Sequence, residues 1–107
     1  MNAASSTLPA PHLMPLMRYR DLGEAMSWLE QAFGFEKQTA VSDHDGEVIY
    51  GQMTYRGSLL MMGAVRETDL DKLMRQPDEV GGVETQSIYI VVDDADAHYA
   101  RAVDAGA

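Results

Sequence analysis

The chain has no cysteine, which excludes disulfides, thiolate metal sites and cysteine nucleophile chemistry together. No apolar run approaches the length of a bilayer span. Residues 1–12 also lack the charged start and apolar stretch of a secretory signal. Their Ala, Ser and Pro content reads as a flexible N-terminal arm, and the cytoplasm is the expected compartment. Basic residues are scarce: 8 Lys plus Arg stand against 17 Asp plus Glu, a formal net charge of -9. Such a surface repels phosphate backbones, so neither nucleic acid nor a membrane is an expected partner, whereas a cationic small molecule is tolerated. No glycine-rich phosphate-loop pattern is present.

What is there suffices for one folded domain. Hydrophobic residues make up 46% of 107, enough to build a core. Residues 13–20 are rich in apolar side chains and predict a strand. Asp21 followed by Glu24 is a helix N-cap with an acidic partner three residues on. Leu22, Ala25, Met26, Leu29 and Phe33 follow at helical spacing, and Gly34 supplies the stop. Residues 35–42 predict a second strand, Asp45-Gly46 a tight hairpin, 47–55 a third strand, Arg56-Gly57 another turn, and 58–64 a fourth strand. Residues 66–85 are a polar linker with one helical turn expected around 70–74. Residues 86–92 predict a fifth strand, Asp93 and Asp96 cap a second helix, and Gly106 closes it. An offset of 72 residues superposes Asp21 on Asp93, Glu24 on Asp96, Ala25 on Ala97 and Gly34 on Gly106, an internal repeat of cap, acid, packing residue and stop.

Two stretches carry a family resemblance. Pro15-Leu16-Met17-Arg18-Tyr19-Arg20-Asp21-Leu22, with Trp28-Leu29 and Ala32-Phe33-Gly34-Phe35, resembles the opening of a vicinal-oxygen-chelate domain, the glyoxalase/bleomycin-resistance superfamily. The stretch from Tyr89 to Asp94, ahead of Arg101 to Ala107, resembles the start of a second such unit. The resemblance implies an α+β fold built of βαβββ modules that curl into a cupped mixed sheet. The chain then divides into the arm (1–12), a first module (13–65), the linker (66–85) and the first strand and helix of a second module (86–107), C-terminally short. A fragment of a longer protein, or a short form completed by a second copy, is expected. Family members pair modules across chains, so a homodimer is expected too, with the fifth strand and second helix as candidates for exchange.

Family enzymes hold a divalent metal in the cup with His, Glu or Gln. The matched positions here are Met14, Met61 (Leu60 if the fourth strand slips by one residue) and Ser87. Thioether sulfur is soft and suits hard divalent ions poorly, so no metal and no other cofactor is expected, and no catalytic residue is assigned. The resemblance is nearest to metal-free, bleomycin-resistance-like members. His12, His44 and His98 share no local ligand spacing, and Ser87 with His98 makes no readable triad. Strand alternation places Met14, Leu16 and Arg18 on one face, with Met17 and Tyr19 on the other, facing the helix. Ser87, Tyr89 and Val91 are expected to join the first group from the fifth strand and Met61 from the fourth. Together these seven residues form the candidate ligand-binding surface, a soft wall suited to planar or irregular molecules. A filled core is the competing reading, set against the cost of burying Arg18 without a partner. The function read from this is binding of a small aromatic or cationic molecule, leaning away from an enzyme. A metal-dependent lyase, isomerase or dioxygenase with ligands elsewhere, and a ligand-free dimerisation domain, are the alternatives.

Overall fold

A computed structural model describes residues 12–84 and 86–107, so the expected arm lies outside the described residues apart from His12. The order of elements is β1 (Leu16–Tyr19), α1 (Leu22–Phe33), β2 (Glu36–Ser42), β3 (Val48–Tyr55), β4 (Ser58–Ala64), two 3-10 turns (Leu70–Leu73 and Pro77–Val80) and α2 (Ala95–Asp104). The four strands make one sheet in the order β1-β4-β3-β2. β1 runs parallel to β4, and the other two pairings are antiparallel. This is the α+β architecture expected from the sequence, with βαβββ as its opening.

Local chemistry accounts for each boundary. The Asp21 carboxylate accepts from the Glu24 amide at 3.0 Å and starts α1, and Gly34 ends it in the left-handed region at φ 77. The β2–β3 loop is held by the Asp43 carboxylate, which accepts from the amides of Asp45 (2.9 Å) and Glu47 (3.0 Å). Arg56 (φ 48) and Gly57 (φ 83) form a two-residue turn with both residues at positive φ, the geometry that matches strand twist. β2 is exposed along its whole length and carries two register irregularities, which blunt a free sheet edge against pairing with other chains.

α1 lies on one face of the sheet. Leu22, Met26 and Leu29 from the helix bury against Met53, Leu60, Met62 and Phe35, with Met17 and Tyr19 packed around them. A Cβ on Gly51 of β3 would come within 2.5 Å of the Met26 sulfur. The bare backbone there lets α1 approach closely.

Two expectations are corrected in the second half. Residues 86–92 form no strand ladder with any described edge. The β-branched composition favours a strand, but a strand needs a neighbour to take its backbone groups. The N-cap of α2 is Asp94, which accepts from the Ala97 amide at 3.0 Å, and not Asp93. Asp93 instead pairs with Arg56 at 2.6 Å. The C-cap of α2 is Ala105, with Gly106 one residue beyond it at φ 101, so the repeat offset of 72 slips by one residue at both caps. α2 docks on the C-terminal end of α1. Arg101 donates to the carbonyl of Gln31 (2.9 Å), an acceptor near the helix end, and to that of Glu30 (3.2 Å), which also accepts from the Gly34 amide. The Trp28 indole donates to the Ala105 carbonyl at 2.7 Å, and His98 stacks on Phe33.

Candidate functional site

The sheet face opposite α1 carries Leu16 and Arg18 from β1, Tyr50 from β3, and Met61 and Gly63 from β4, around a hollow of about 240 Å³. Parallel pairing sets Leu16 beside Met61 and Arg18 beside Gly63. The register also decides between the two fourth-strand candidates. Met61 faces this hollow, whereas Leu60 points into the core at 6% exposure. The Gln52 amide donates to the Tyr50 hydroxyl at 2.6 Å and fixes that phenol.

The linker folds back over the face. Asp71, from the first 3-10 turn, forms an ion pair with Arg18, and the two side chains are 12% and 11% exposed. Arg18 also donates to the Ala64 carbonyl at 3.0 Å and to the Met74 sulfur at 2.9 Å. Its Nε is buried with no hydrogen-bond partner among the described residues. Asp71 is itself held by the Thr68 hydroxyl and by the amides of Arg66 and Thr68 (3.0 Å each). The Thr68 hydroxyl, the Arg66 amide and Arg18 together keep its carboxyl well below the usual carboxylate range. Outside the face, Arg20 grips Asp78 through two hydrogen bonds of 2.7 and 2.8 Å, in the open. This pair likewise lowers the Asp78 carboxyl.

A second depression, of about 560 Å³, lies at the β3–β4 turn. Tyr55, Arg56 and Gly57 meet Leu13, Pro15 and residues 88–91 there. Tyr89 and Val91 line this cleft rather than the hollow that holds Leu16, Arg18 and Met61. Ile88, Ile90 and Val92 face His98, Tyr99 and Val103 of α2, and Ile88 and Ile90 also border the cleft. Met14 and Ser87 line neither depression, and the Ser87 hydroxyl donates to Glu84 at 3.2 Å. The seven candidate residues thus fall into a concave-face group of three, a cleft pair and two that stand apart.

Sequence reasoning missed Asp71, Met74, Thr68 and Tyr50. A cation on an apolar strand demands a partner, but the linker offers Glu67, Asp69, Asp71, Asp78, Glu79 and Glu84. The choice among them depends on the chain reversal at the 3-10 turn.

The donor set does not fit a hard divalent metal. Leu16, Met61 and Tyr50 offer one thioether and a phenol, and Asp71 is committed to Arg18. Among the described residues no three His, Asp or Glu side chains gather as an ion would need. His12 and His44 are exposed, and His98 rests on Phe33 with its Nε2 3.4 Å from the Phe33 carbonyl. No helix among the described residues is long and apolar enough to cross a membrane.

A family model described as the Glyoxalase/Bleomycin resistance protein/Dioxygenase superfamily matches residues 10–107. Among solved structures, TioX from Micromonospora sp. ML1 is similar at 24% identity and a TM-score of 0.62, over 91% of this chain and 71% of that one. An Arabidopsis thaliana gene product is similar at 21% identity and a TM-score of 0.56, over 91% of this chain and 74% of that one. At such identities the likeness concerns the fold. Comparison with curated protein sequences gave no match.

Proposed function

Since this chain belongs to the glyoxalase/bleomycin-resistance/dioxygenase superfamily, we propose that it binds a small aromatic or cationic molecule on the concave face of its sheet, without a metal. The observation that carries the reading is the pairing of Leu16 with Met61 beside Tyr50, on the face that α1 leaves free. Soft, adaptable side chains flanked by a fixed phenol suit a planar ring. The reading is one of binding rather than turnover, because the acid on this face, Asp71, is tied by three hydrogen bonds from Thr68 and Arg66 and by an arginine.

The test is calorimetric titration with planar aromatic compounds in acidic, neutral and cationic forms. At least one class is expected to bind, and Met61→Glu is expected to abolish that binding while leaving the thermal transition in place. Binding unchanged in Met61→Glu would move the ligand off this face. Elemental analysis of the purified protein is expected to find no stoichiometric divalent metal. About one tightly held ion per chain would favour the enzyme reading instead.

We further propose that a second copy of the chain is the partner that covers the apolar surface beside residues 88–91. Leu13 and Tyr89 are each 92% exposed and Val91 is 70% exposed around the larger cleft. Surface of this kind is usually covered by a partner, and a two-fold axis lets one patch meet itself.

A further inference from the structure

We propose that the segment from Thr68 to Met74 is a displaceable strap, with Asp71 occupying on Arg18 the place of an oxyanion group of the ligand. This rests on the concave-face reading above and narrows it: the ring carries a carboxylate or similar acidic group, and any positive charge lies away from Arg18.

The strap satisfies Arg18 poorly. A guanidinium has five N–H donors in a planar fork that matches a carboxylate edge-on. In the closed arrangement one nitrogen meets Asp71 and the Ala64 carbonyl, another meets only the Met74 thioether, and Nε meets nothing among the described residues. Sulfur is a weak acceptor, and a buried unpaired donor costs stability. A free oxyanion can take the vacant Nε together with a terminal nitrogen in the two-pronged geometry that Asp71 does not achieve. The strap is also built to let go. Its first 3-10 turn buries no residue, and Leu70 and Leu73 are exposed at 52% and 82%. Few apolar contacts hold it down, which is the mark of a segment that opens locally at low cost. Asp71 keeps its internal bonds to Thr68 and Arg66 when it leaves, so the turn moves as a unit. Strap opening and ligand binding are then one exchange of oxyanions on one arginine.

Removing the strap's charge therefore removes a competitor. In Asp71→Asn, 2-naphthoate is expected to bind about tenfold more tightly than to the parent. The matched cation, 2-naphthylmethylammonium, should gain nothing. Adding Arg18→Ala to that variant should erase the gain. Thr68→Val removes the hydroxyl that positions Asp71 and is expected to move naphthoate affinity the same way, which guards against a peculiarity of one variant. Equal naphthoate affinity in parent and Asp71→Asn, with both lost in Met61→Glu, overturns the strap and leaves the concave-face site standing. Failure of naphthoate to bind either protein, with the neutral 2-naphthylmethanol or the cationic 2-naphthylmethylammonium bound instead, overturns the oxyanion while sparing the site. No binding by any of the three compounds overturns both readings.

Discussion

At the scale of single residues, Gly51 shows how a missing atom sets a packing distance. Any side chain there drives into the end of the Met26 side chain, which is buried in the core and has to shift. Gly51→Ala is expected to destabilise the fold by about 1–3 kcal/mol, the range for overpacking, read as a lower denaturation midpoint. A midpoint within error of the parent would mean that Met26 repacks freely. Charged residues make a different prediction. The carboxyls of Asp71 and Asp78 are both lowered by their partners. A group lowered in the folded state stabilises fully above its unfolded value, about 3.9, and that contribution fades as the pH falls below it. Thermal melting should therefore weaken on acidification below about pH 4. Asp71→Asn should show a shallower acid slope than the parent. An identical slope would show that Asp71 titrates as it does in the unfolded chain.

At the scale of elements, the two helices depend on different ends of their neighbours. Asp94→Ala should cost about 1 kcal/mol through loss of the α2 cap, whereas Asp93→Ala should act weakly, through an exposed pair with Arg56. The reverse order of effects in denaturant titration would restore the assignment of Asp93 as the cap. Arg101→Ala should cost about 1 kcal/mol by removing its hydrogen bonds to the Gln31 and Glu30 carbonyls of α1. The sequence was legible wherever the determinant was local. Asp21 and Gly34 bound α1, Arg56-Gly57 turns β3 into β4, and alternation sorts Met17 and Tyr19 from Leu16 and Arg18. It was illegible where distance in the chain intervened. Asp93 and Asp94 are chemically equivalent caps until a remote Arg56 claims one of them. Residues 86–92 have strand composition, but no described sheet edge pairs with them. Leu16, Arg18 and Met61 come together as alternation predicts, while Tyr89 and Val91 reach a different hollow because no ladder places them beside β1.

At the scale of the whole molecule, the apolar surface around Leu13, Tyr89 and Val91 bears on assembly. Light scattering is expected to give a dimer mass, and Tyr89→Glu with Val91→Glu is expected to shift it towards the monomer. A monomer mass independent of concentration in the parent would refute the self-association. The junction between α1 and α2 has a further consequence. The chain has one tryptophan, and its indole nitrogen is tied to the Ala105 carbonyl just past the end of α2. Trp28 packs edge-on to Phe33, on whose ring His98 of α2 stacks. Every photon of tryptophan emission therefore reports from the seam between the helices, and none from the concave face. Undocking of α2 would wet the indole and redden its emission while the sheet stays folded. A ligand that seats between Leu16 and Met61 would leave the spectrum unmoved unless its binding is felt at that seam. The protein thus carries a built-in gauge of whether its two helices stay joined, separate from any gauge of what it binds.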